Sequence, residues 1–489
     1  MSQEEEPNPF LPTLASLSGS SCPDWFRDAK FGIWSHWGPQ SVPRQGDWYA
    51  RGMYIEGSPH HRYHIRTYGH PSEFGYKDVT RLWKAENFDP DALMDLYVRA
   101  GAKYFVAQAS HHDHFLNYAS RLHRWNSVEV GPGKDIVGLW QAAARRHGLP
   151  FGLSEHLAAT FSWWPVNKAA DTTGPWAGVP YDGADPDHED LYLPNREHLV
   201  PGCQDVPVSP WYTTNPWWHR RWLDLVTEMI DLYQPDLLYT DGPPPFFPHG
   251  MQPALTATAH LYNTSAAAHD GRNQAVFAHK ERHERLRGFG VLDVERSQEP
   301  RVSPVPWQTD TCLGSWFYDV NAVYKTPAHV IELLVDIVAK NGNLLLNVPQ
   351  LPDGTIDREC RHLLSELADW MAFHGEGIHG TRPFREGVEG PSGVTIDGFR
   401  EDRVPWTGAD YRFTHRGNTV YAFQMAWPTD GRAVIHSVNT GDKVTRVRLL
   451  GTGADSLPFT RVDPTGGLVV SLPERAPAPY PTCLAIELE

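Results

Sequence analysis

A carboxylate at the end of a short apolar segment is the residue of this sequence best placed for chemistry. Residues 237–239 are apolar, and they lie between Pro235 on one side and Asp241 and Gly242 on the other. A short apolar run with such boundaries predicts a buried strand. In a barrel of alternating strands and helices, the carboxyl ends of the strands carry the catalytic side chains. Asp241 is therefore a candidate nucleophile, and a structural role capping the following loop is the alternative.

The elements that would position Asp241 alternate along the first three quarters of the chain. Predicted strands cover residues 31–36, 104–110, 151–156, 237–241, 275–279, 291–294, 305–308 and 344–348. Predicted helices cover residues 90–100, 136–147, 217–234, 327–340 and 358–373. Eight strands with interleaved helices predict an α/β fold, a (β/α)8 TIM-like barrel.

The pattern changes beyond about residue 382. Short alternating runs separated by Gly, Asn and Pro predict a C-terminal antiparallel β-sandwich, with strands at 419–427, 433–438, 444–450, 468–472 and 483–488. We therefore expect an N-terminal tail over residues 1–22, the barrel over 23–380 and the sandwich over 381–489. The long segment 165–215 is expected to form a loop that shapes the catalytic face.

Segments rich in aromatic residues and histidine occur at intervals through the predicted barrel. They are residues 25–38, 47–49, 88–92, 110–115, 306–311 and 340–348, with the strand ending in Asp241 between them. In content and order they resemble the retaining α-L-fucosidases of glycoside hydrolase family 29. The resemblance implies an exo-acting enzyme that removes terminal α-L-fucosyl residues from fucosylated oligosaccharides or glycoconjugates. It also implies a covalent glycosyl-enzyme intermediate, with no cofactor and no metal.

The mechanism implied by the resemblance needs two carboxyl groups, on opposite sides of the anomeric carbon and roughly 5–5.5 Å apart. Asp241 would attack to form the glycosyl-enzyme. Glu295, at the end of the strand predicted at 291–294, would protonate the leaving oxygen and then activate water. Glu299 is the alternative acid/base. Because pairing with Arg296 would lower the pKa of Glu295, whereas an acid catalyst needs a raised pKa, we expect Arg296 to point away.

Three histidines are the first predicted sugar contacts. The family's equivalents of His36, His111 and His112 hydrogen-bond the hydroxyls of bound fucose. An imidazole suits this role because its ring offers one donor and one acceptor. His156, with Glu155 beside it, lies where the sequence departs from the tyrosine-rich version of the family, and it could replace a sugar contact there.

Aromatic residues complete the predicted pocket. Trp48 resembles the family's pocket tryptophan, although Asp47 precedes it where Glu is usual. Tyr239 faces the same side of its strand as Asp241. Trp316, or its neighbour Phe317, would pack against the C6 methyl group of fucose.

The same residues are compatible with three other functions. In a metal-dependent barrel hydrolase, the candidate ligands would be His36, His111, His112, Asp113, His114 and Asp241. Against it, the first strand carries one histidine where such sites use a pair, and adjacent His111 and His112 on an extended strand would point to opposite faces. The second alternative is a non-catalytic carbohydrate-binding protein on the same barrel. The third keeps the mechanism and acts on another fucose-like sugar, such as an α-L-galactoside.

Composition argues against several classes of partner. The chain of 489 residues has a net charge of −16 and no Lys/Arg-rich stretch, which disfavours nucleic acid and anionic membranes. No window of about twenty apolar residues predicts a membrane span. Five scattered cysteines and an acidic start, residues 1–6, predict a cytoplasmic protein, or a periplasmic or secreted one if a leader has been removed. Homo-oligomer formation is left open.

Overall fold

A closed barrel of parallel strands forms the larger part of the molecule. The computed structural model describes residues 9–20, 22–195, 210–394, 401, 403–453, 455–461 and 466–489. Eight strands follow one another around the barrel in chain order, and the last pairs with the first. They are β1 (Phe31–Ser35), β2 (Tyr104–Gln108), β3 (Phe151–Glu155), β4 (Leu237–Thr240), β5 (Val276–His279), β6 (Val291–Asp293), β7 (Trp307–Cys312) and β8 (Gly342–Asn347). The predicted (β/α)8 barrel is confirmed.

Helices surround the barrel and lie in its connections. They are α1 (Leu14–Leu17), α2 (Asp24–Ala29), α3 (Tyr49–Gly52), α4 (Pro59–Thr67), α5 (Tyr76–Leu82), α6 (Pro90–Arg99), α7 (Ile136–Arg146), α8 (Thr160–Trp163), α9 (Glu189–Tyr192), α10 (Pro216–Tyr233), α11 (Gln252–Ala268), α12 (Pro327–Ala339) and α13 (Arg358–His374). Each of the five predicted helices is present, with ends within one residue of the prediction. The sequence analysis missed α11, because its many alanines and threonines are not spaced as a distinct apolar stripe.

The helix before β4 shows how local sequence positions a barrel strand. Pro216 occupies the first turn of α10, and the side chain of Asn215 accepts a hydrogen bond from the backbone N–H of Trp217. The helix buries Trp218 and Trp222 and ends where Gln234 adopts a left-handed conformation. The chain then reverses into β4, which delivers Asp241 at its carboxyl end.

The position predicted for the seventh strand was wrong. It was expected at residues 305–308, but β7 pairs with β8 from Trp307 to Cys312. Pro306 has no N–H to contribute to a ladder, and Val305 is 62% exposed. The strand instead continues through Gln308, Thr309 and Asp310, which are polar but buried.

The C-terminal module consists of two antiparallel sheets, as predicted. One has the order β13-β16-β11-β10-β9 and the other β12-β15-β14. The strands are β9 (Arg382–Glu389), β10 (Tyr411–Arg416), β11 (Thr419–Gln424), β12 (Arg432–Ile435), β13 (Val444–Leu449), β14 (Phe459–Arg461), β15 (Leu468–Ser471) and β16 (Thr482–Leu488). Strands β9, β10 and β14 were not predicted. Residues from both sheets form a separate apolar core.

Two smaller points complete the fold. Cys22, Cys312, Cys360 and Cys483 are free thiols, and Cys203 lies outside the described residues. Within the described part of the chain, no helix combines the length and the apolar character needed to cross a bilayer.

Candidate active site

A cavity of about 520 Å³ opens at the carboxyl ends of the barrel strands. The first choices of the sequence analysis for catalytic and sugar-binding residues all line it, namely His36, Trp48, His111, His112, His156, Tyr239, Asp241, Glu295 and Trp316. The lining residues are Trp34, His36, Asp47, Trp48, His111, His112, His156, Trp211, Tyr239, Asp241, Gly242, Pro243, Lys280, Glu295, Asp310 and Trp316. The barrel brings them together because all of its parallel strands end at the same edge.

The catalytic and sugar-binding candidates line the cavity because they lie at or beyond the ends of the barrel strands. His36 follows β1, His156 follows β3, Asp241 follows β4 and Lys280 follows β5, each directly. Glu295 lies two residues beyond β6. Side chains that are far apart in sequence therefore converge on one site.

The cavity has a buried floor and a more open rim. His36, His111, His156, Tyr239 and Asp310 are buried. Trp48, Trp211, Asp241, Glu295 and Trp316 are half-buried. A ligand would thus enter with one end in a histidine-rich floor, while its other end meets tryptophans and Glu295.

Asp241 is surrounded by positive and hydrogen-bonding groups. Its Oδ2 lies 3.3 Å from Nε2 of His112 and 3.5 Å from Nδ1 of His156. Its Oδ1 lies 3.0 Å from Nζ of Lys280. Burial opposes ionisation of the carboxyl, but Lys280 and the two histidines outweigh it and hold the pKa of Asp241 well below its usual value. Asp241 is therefore ionised, as a nucleophile must be.

Lys280 bridges the two candidate catalytic carboxylates. Its Nζ lies 2.5 Å from Oε2 of Glu295 and 3.0 Å from Oδ1 of Asp241. The two distances share one nitrogen, so these two oxygens can be separated by at most the sum, about 5.5 Å. The sequence analysis missed Lys280, although its position after a predicted strand is the signal that identified Asp241.

The acidity of Glu295 differs from that of Asp241. Burial raises the pKa of Glu295 to about 7, with further contributions from Asp310 and Asp241, while Lys280 acts in the opposite direction. The guanidinium of Arg296 points to Glu401, with its Nε 3.4 Å from Oε2. The cation beside Glu295 is therefore Lys280 and not its sequence neighbour. The two carboxyl groups have pKa values shifted in opposite directions, as acid/base and nucleophile require.

The histidines of the floor are neutral, with unused ring nitrogens. Burial lowers the pKa of His36 and His111 well below the usual value and also lowers the pKa of His156. Nδ1 of His36 and Nε2 of His156 have no hydrogen-bond partner among the described residues. Nitrogens of this kind in a cavity can bind the hydroxyls of a ligand.

The expectation that His111 and His112 point to opposite faces was wrong. Strand β2 ends at Gln108, so both residues lie in the loop beyond it, and strand alternation does not apply. Their ring centroids are 4.5 Å apart, and both rings line the cavity. Nδ1 of His112 donates to the backbone carbonyl of His156 at 2.7 Å, which orients Nε2 towards Asp241.

Asp47 is a second carboxyl group with an unusual environment. Burial raises its pKa to about 7. Its Oδ1 lacks a hydrogen-bond partner among the described residues and lies 3.7 Å from Nε2 of His111. Since Gln40 Nε2 lies 2.8 Å from Nδ1 of His111 and can donate to it, Nε2 is left to donate towards Asp47 or a ligand. Asp47 is one methylene shorter than the glutamate that is usual in the family, yet its side chain still lines the cavity.

Three proposed residues lie outside the cavity lining. Glu155 points away, because Thr240 Oγ1 and Trp222 Nε1 donate to its carboxylate. Glu299 pairs with Arg282 at 2.6 Å. Phe317 is buried behind the floor and packs edge-on against His36, with ring centroids 4.6 Å apart.

The long segment 165–215 contributes Trp211 to the cavity rim, and its residues 196–209 lie outside the described part. The ring of Trp211 is nearly parallel to that of Trp48, at 6.3 Å between centroids. No sequence signal distinguished Trp211 from its many neighbouring aromatic residues.

Three groups of described side chains are close enough to share a metal ion. They are His36 with His111 and His156, His112 with His156 and Asp241, and, away from the cavity, His61 with His70 and Asp171. In the second group, the ammonium of Lys280 lies 3.0 Å from Asp241 and would repel a cation. In the third, hydrogen bonds already use Asp171, which accepts from Tyr181 and lies 3.2 Å from Nε2 of His70.

Known proteins resemble this chain along nearly its whole length. Residues 1–376 match the family Alpha-L-fucosidase, and residues 406–488 match the alpha-L-fucosidase C-terminal domain. The tissue alpha-L-fucosidase of Mus musculus is 27% identical over 496 residues, covering 99% of this chain and 95% of that protein. The plasma alpha-L-fucosidase of Homo sapiens is 28% identical and covers 95% of this chain and 89% of that protein.

Solved structures agree with the sequence matches. The structure of Thermotoga maritima alpha-fucosidase in complex with fucose has a TM-score of 0.73 and 25% identity, covering 98% of this chain and 100% of that one. The family match includes every strand of the barrel and every candidate site residue. This chain is a glycoside hydrolase and belongs to the α-L-fucosidase family, glycoside hydrolase family 29.

Proposed function

We propose that this protein is an exo-acting, retaining α-L-fucosidase that hydrolyses terminal α-L-fucosyl residues of fucosylated oligosaccharides or glycoconjugates. The observation that carries the proposal is the contact of both carboxylates with Nζ of Lys280, which limits the distance between Oδ1 of Asp241 and Oε2 of Glu295 to about 5.5 Å. Retaining glycosidases use ~5–5.5 Å, whereas inverting enzymes leave ~6.5–9.5 Å for a water molecule.

In the first step, an oxygen of Asp241 attacks the anomeric carbon of the fucosyl group while the bond to the leaving oxygen breaks. Glu295, protonated near neutral pH, gives its proton to that oxygen, so the aglycone leaves as an alcohol. In the second step, ionised Glu295 takes a proton from water, whose oxygen attacks the same carbon and displaces Asp241. The charge of Lys280 stabilises whichever carboxylate is negative at each stage.

The remaining lining residues suit a deoxy sugar. His36, His111 and His156 offer ring nitrogens at the floor, where sugar hydroxyls would lie. The indole of Trp316 offers an apolar surface for a methyl group. The closed floor favours a terminal sugar over an internal one, and the fucose complex of the Thermotoga maritima enzyme supports fucose as that sugar.

The test uses 4-nitrophenyl α-L-fucoside with the wild type and with Asp241→Ala. We expect turnover by the wild type and a large loss in Asp241→Ala. Added azide should rescue the variant and give a β-fucosyl azide, because azide attacks the face that the carboxylate left empty. An α-fucosyl azide from Glu295→Ala would assign the acid/base.

Two outcomes would contradict the proposal in different ways. Full activity of Asp241→Ala would exclude this carboxylate as the nucleophile. A wild type that is inactive on the fucoside but hydrolyses the α-L-galactoside would leave the mechanism intact and change the sugar.

A further inference from the structure

A second cleft, of about 760 Å³, lies in the C-terminal module, outside the catalytic cavity. It is bounded by the end of β9, the segment before β10, the loop between β11 and β12, and the outer face of β12. None of its lining residues lines the catalytic cavity. Its volume falls within the ~300–1,000 Å³ of small-ligand sites.

Two tryptophans line this cleft. Trp406 packs against the apolar core of the barrel, and Trp427 packs against the core of the sandwich. The guanidinium of Arg412 lies 4.7 Å from the ring centre of Trp406 and holds that indole in place. Both rings are half-buried, so each is fixed by packing while part of it faces the cleft.

The outer face of β12 supplies polar groups to the same cleft. Ala433 and Ile435 point into the sandwich core, so alternation turns Arg432, Val434 and His436 outward. Asp430 precedes them in the adjoining loop. Apolar Val434 thus lies between Arg432 and His436, and both of these side chains can donate hydrogen bonds.

Arg432 differs from the other arginines on the strands of this module. Its guanidinium has no hydrogen bond or ion pair with any described residue, and the imidazole of His436 has none either. The other strand arginines each donate to an acceptor, namely Arg382, Arg385, Arg412, Arg416, Arg446, Arg448 and Arg461. Arg432 therefore has its donors available for a ligand.

The charge of the cleft is mixed. Glu389 is committed to the protein, because its carboxylate accepts from the backbone N–H groups of His436 and Ser437 at 2.8 and 2.7 Å. Asp430 accepts at one oxygen from the N–H of Arg432, which leaves the other oxygen free. A guanidinium and a carboxylate that line the same cleft can match the acceptor and donor groups of sugar hydroxyls. The indoles match the apolar face of a sugar ring.

We propose that this cleft is a carbohydrate-binding site for neutral pyranose units, separate from the catalytic cavity. Trp427 provides the stacking surface, and Arg432 with Asp430 binds a pair of ring hydroxyls. Such a site would retain the oligosaccharide part of a glycan on the enzyme, whether or not that part carries a sugar the catalytic cavity accepts.

The test is a calorimetric titration of the full-length protein with lactose, a neutral disaccharide that carries no fucose. Lactose should bind the wild type, and Trp427→Ala and Arg432→Ala should each weaken binding at least about tenfold. Arg475→Ala is the matched control, because Arg475 is an exposed arginine of the same module outside the cleft. It should bind like the wild type.

Further measurements keep the proposal falsifiable. Turnover of 4-nitrophenyl α-L-fucoside should be the same in Arg432→Ala and wild type, which also shows that the variant is folded. Absence of lactose binding, or unchanged binding in both cleft variants, would refute the site. Binding of sulfate in place of lactose would make it an anion site and refute the sugar. Since lactose has no fucosyl group, these results do not depend on the proposed hydrolase activity.

Discussion

At the scale of single residues, the site depends on two carboxyl groups that share one cation and yet differ in acidity. Lys280 and two histidines keep Asp241 ionised, while burial raises the pKa of Glu295 to about 7. This difference in pKa assigns Asp241 as the nucleophile and Glu295 as the general acid, because a nucleophile must be charged and a general acid must carry a proton. Two pH-dependent predictions follow from this pair.

The first prediction concerns the pH profile of the wild type. The rate kcat/KM should fall as the pH rises through about 7, because Glu295 then loses the proton that the leaving oxygen needs. On the acid side, activity should persist to below pH ~4, because the pKa of Asp241 is depressed. The measurement is hydrolysis of 4-nitrophenyl α-L-fucoside from about pH 3 to 9.

Glu295→Gln should remove the basic limb, and Glu299→Gln should keep it, since Glu299 pairs with Arg282 outside the cavity. If the limb survives in Glu295→Gln, the titrating group is Asp47, whose pKa is also raised to about 7.

The second prediction concerns Lys280→Met. Removing the ammonium takes away the interaction that lowers the pKa of both Asp241 and Glu295. Both limbs of the pH profile should therefore move to higher pH, and kcat should fall about tenfold to a hundredfold, equivalent to ~1.4–2.8 kcal/mol. Lys280→Arg keeps the charge and should keep the wild-type limbs. An unshifted profile in Lys280→Met would mean that Lys280 has only a packing role.

At the scale of elements, α10 is fastened to the ends of β3 and β4 through a buried carboxylate. Glu155 accepts from Trp222 Nε1 on α10 at 3.0 Å and from Thr240 Oγ1 on β4 at 2.6 Å. The backbone N–H of Leu157 donates to it as well, at 2.9 Å. The residue considered as a sugar contact thus holds together the elements that place Asp241 and His156.

The third prediction tests this connection. Trp222→Phe keeps an aromatic ring but leaves a buried carboxylate with one donor fewer, so the free energy of unfolding should fall by about 1–3 kcal/mol. Trp217→Phe on the same helix is the control, because Trp217 is 51% exposed and its loss should change little. Urea unfolding followed by circular dichroism measures both. Equal stability of the two variants would contradict the assigned role of Glu155.

At the scale of the whole molecule, a buried ion cluster connects the barrel to the C-terminal module. Asp336 on α12 accepts from Arg412 on β10 and lies 2.8 Å from Nζ of Lys340. Burial opposes its ionisation, but the two cations dominate and lower the pKa of Asp336. The contribution of ionised Asp336 to the free energy of unfolding is therefore complete above about pH 4, the pKa of an aspartate in the unfolded chain. It is lost as the pH falls through the lower pKa that Asp336 has in the folded protein.

The fourth prediction is that Asp336→Ala loses about 3–5 kcal/mol of unfolding free energy, because two buried cations are left without their carboxylate. Glu489→Gln is the control, since its pair with Lys443 is largely exposed and should contribute almost nothing. Urea unfolding at pH 7 compares them. A loss in Asp336→Ala no larger than in the control would show that the cluster does not hold the two parts together.

The sequence by itself determined the features that depend on neighbouring residues. Apolar runs bounded by Pro and Gly located the strands, Pro327 marked the start of one helix, and Asp241 was identified by its place after a strand. The histidine and tryptophan segments, read as a family resemblance, supplied most of the site. These signals are local, so no knowledge of long-range contacts was needed to recognise them. The cytoplasmic location stays a prediction.

Only the tertiary structure decided which of these residues meet. Lys280 follows a predicted strand directly, but only barrel closure places its ammonium between Asp241 and Glu295. The polar strand β7 has no apolar alternation to reveal it, because Gln308, Thr309 and Asp310 are buried and make hydrogen bonds to residues of other barrel strands and their connections. Arg432 could not be identified from sequence either, since its lack of a partner depends on residues far along the chain. The local sequence therefore determines where a strand ends, whereas tertiary packing determines which charged groups face each other across a cavity.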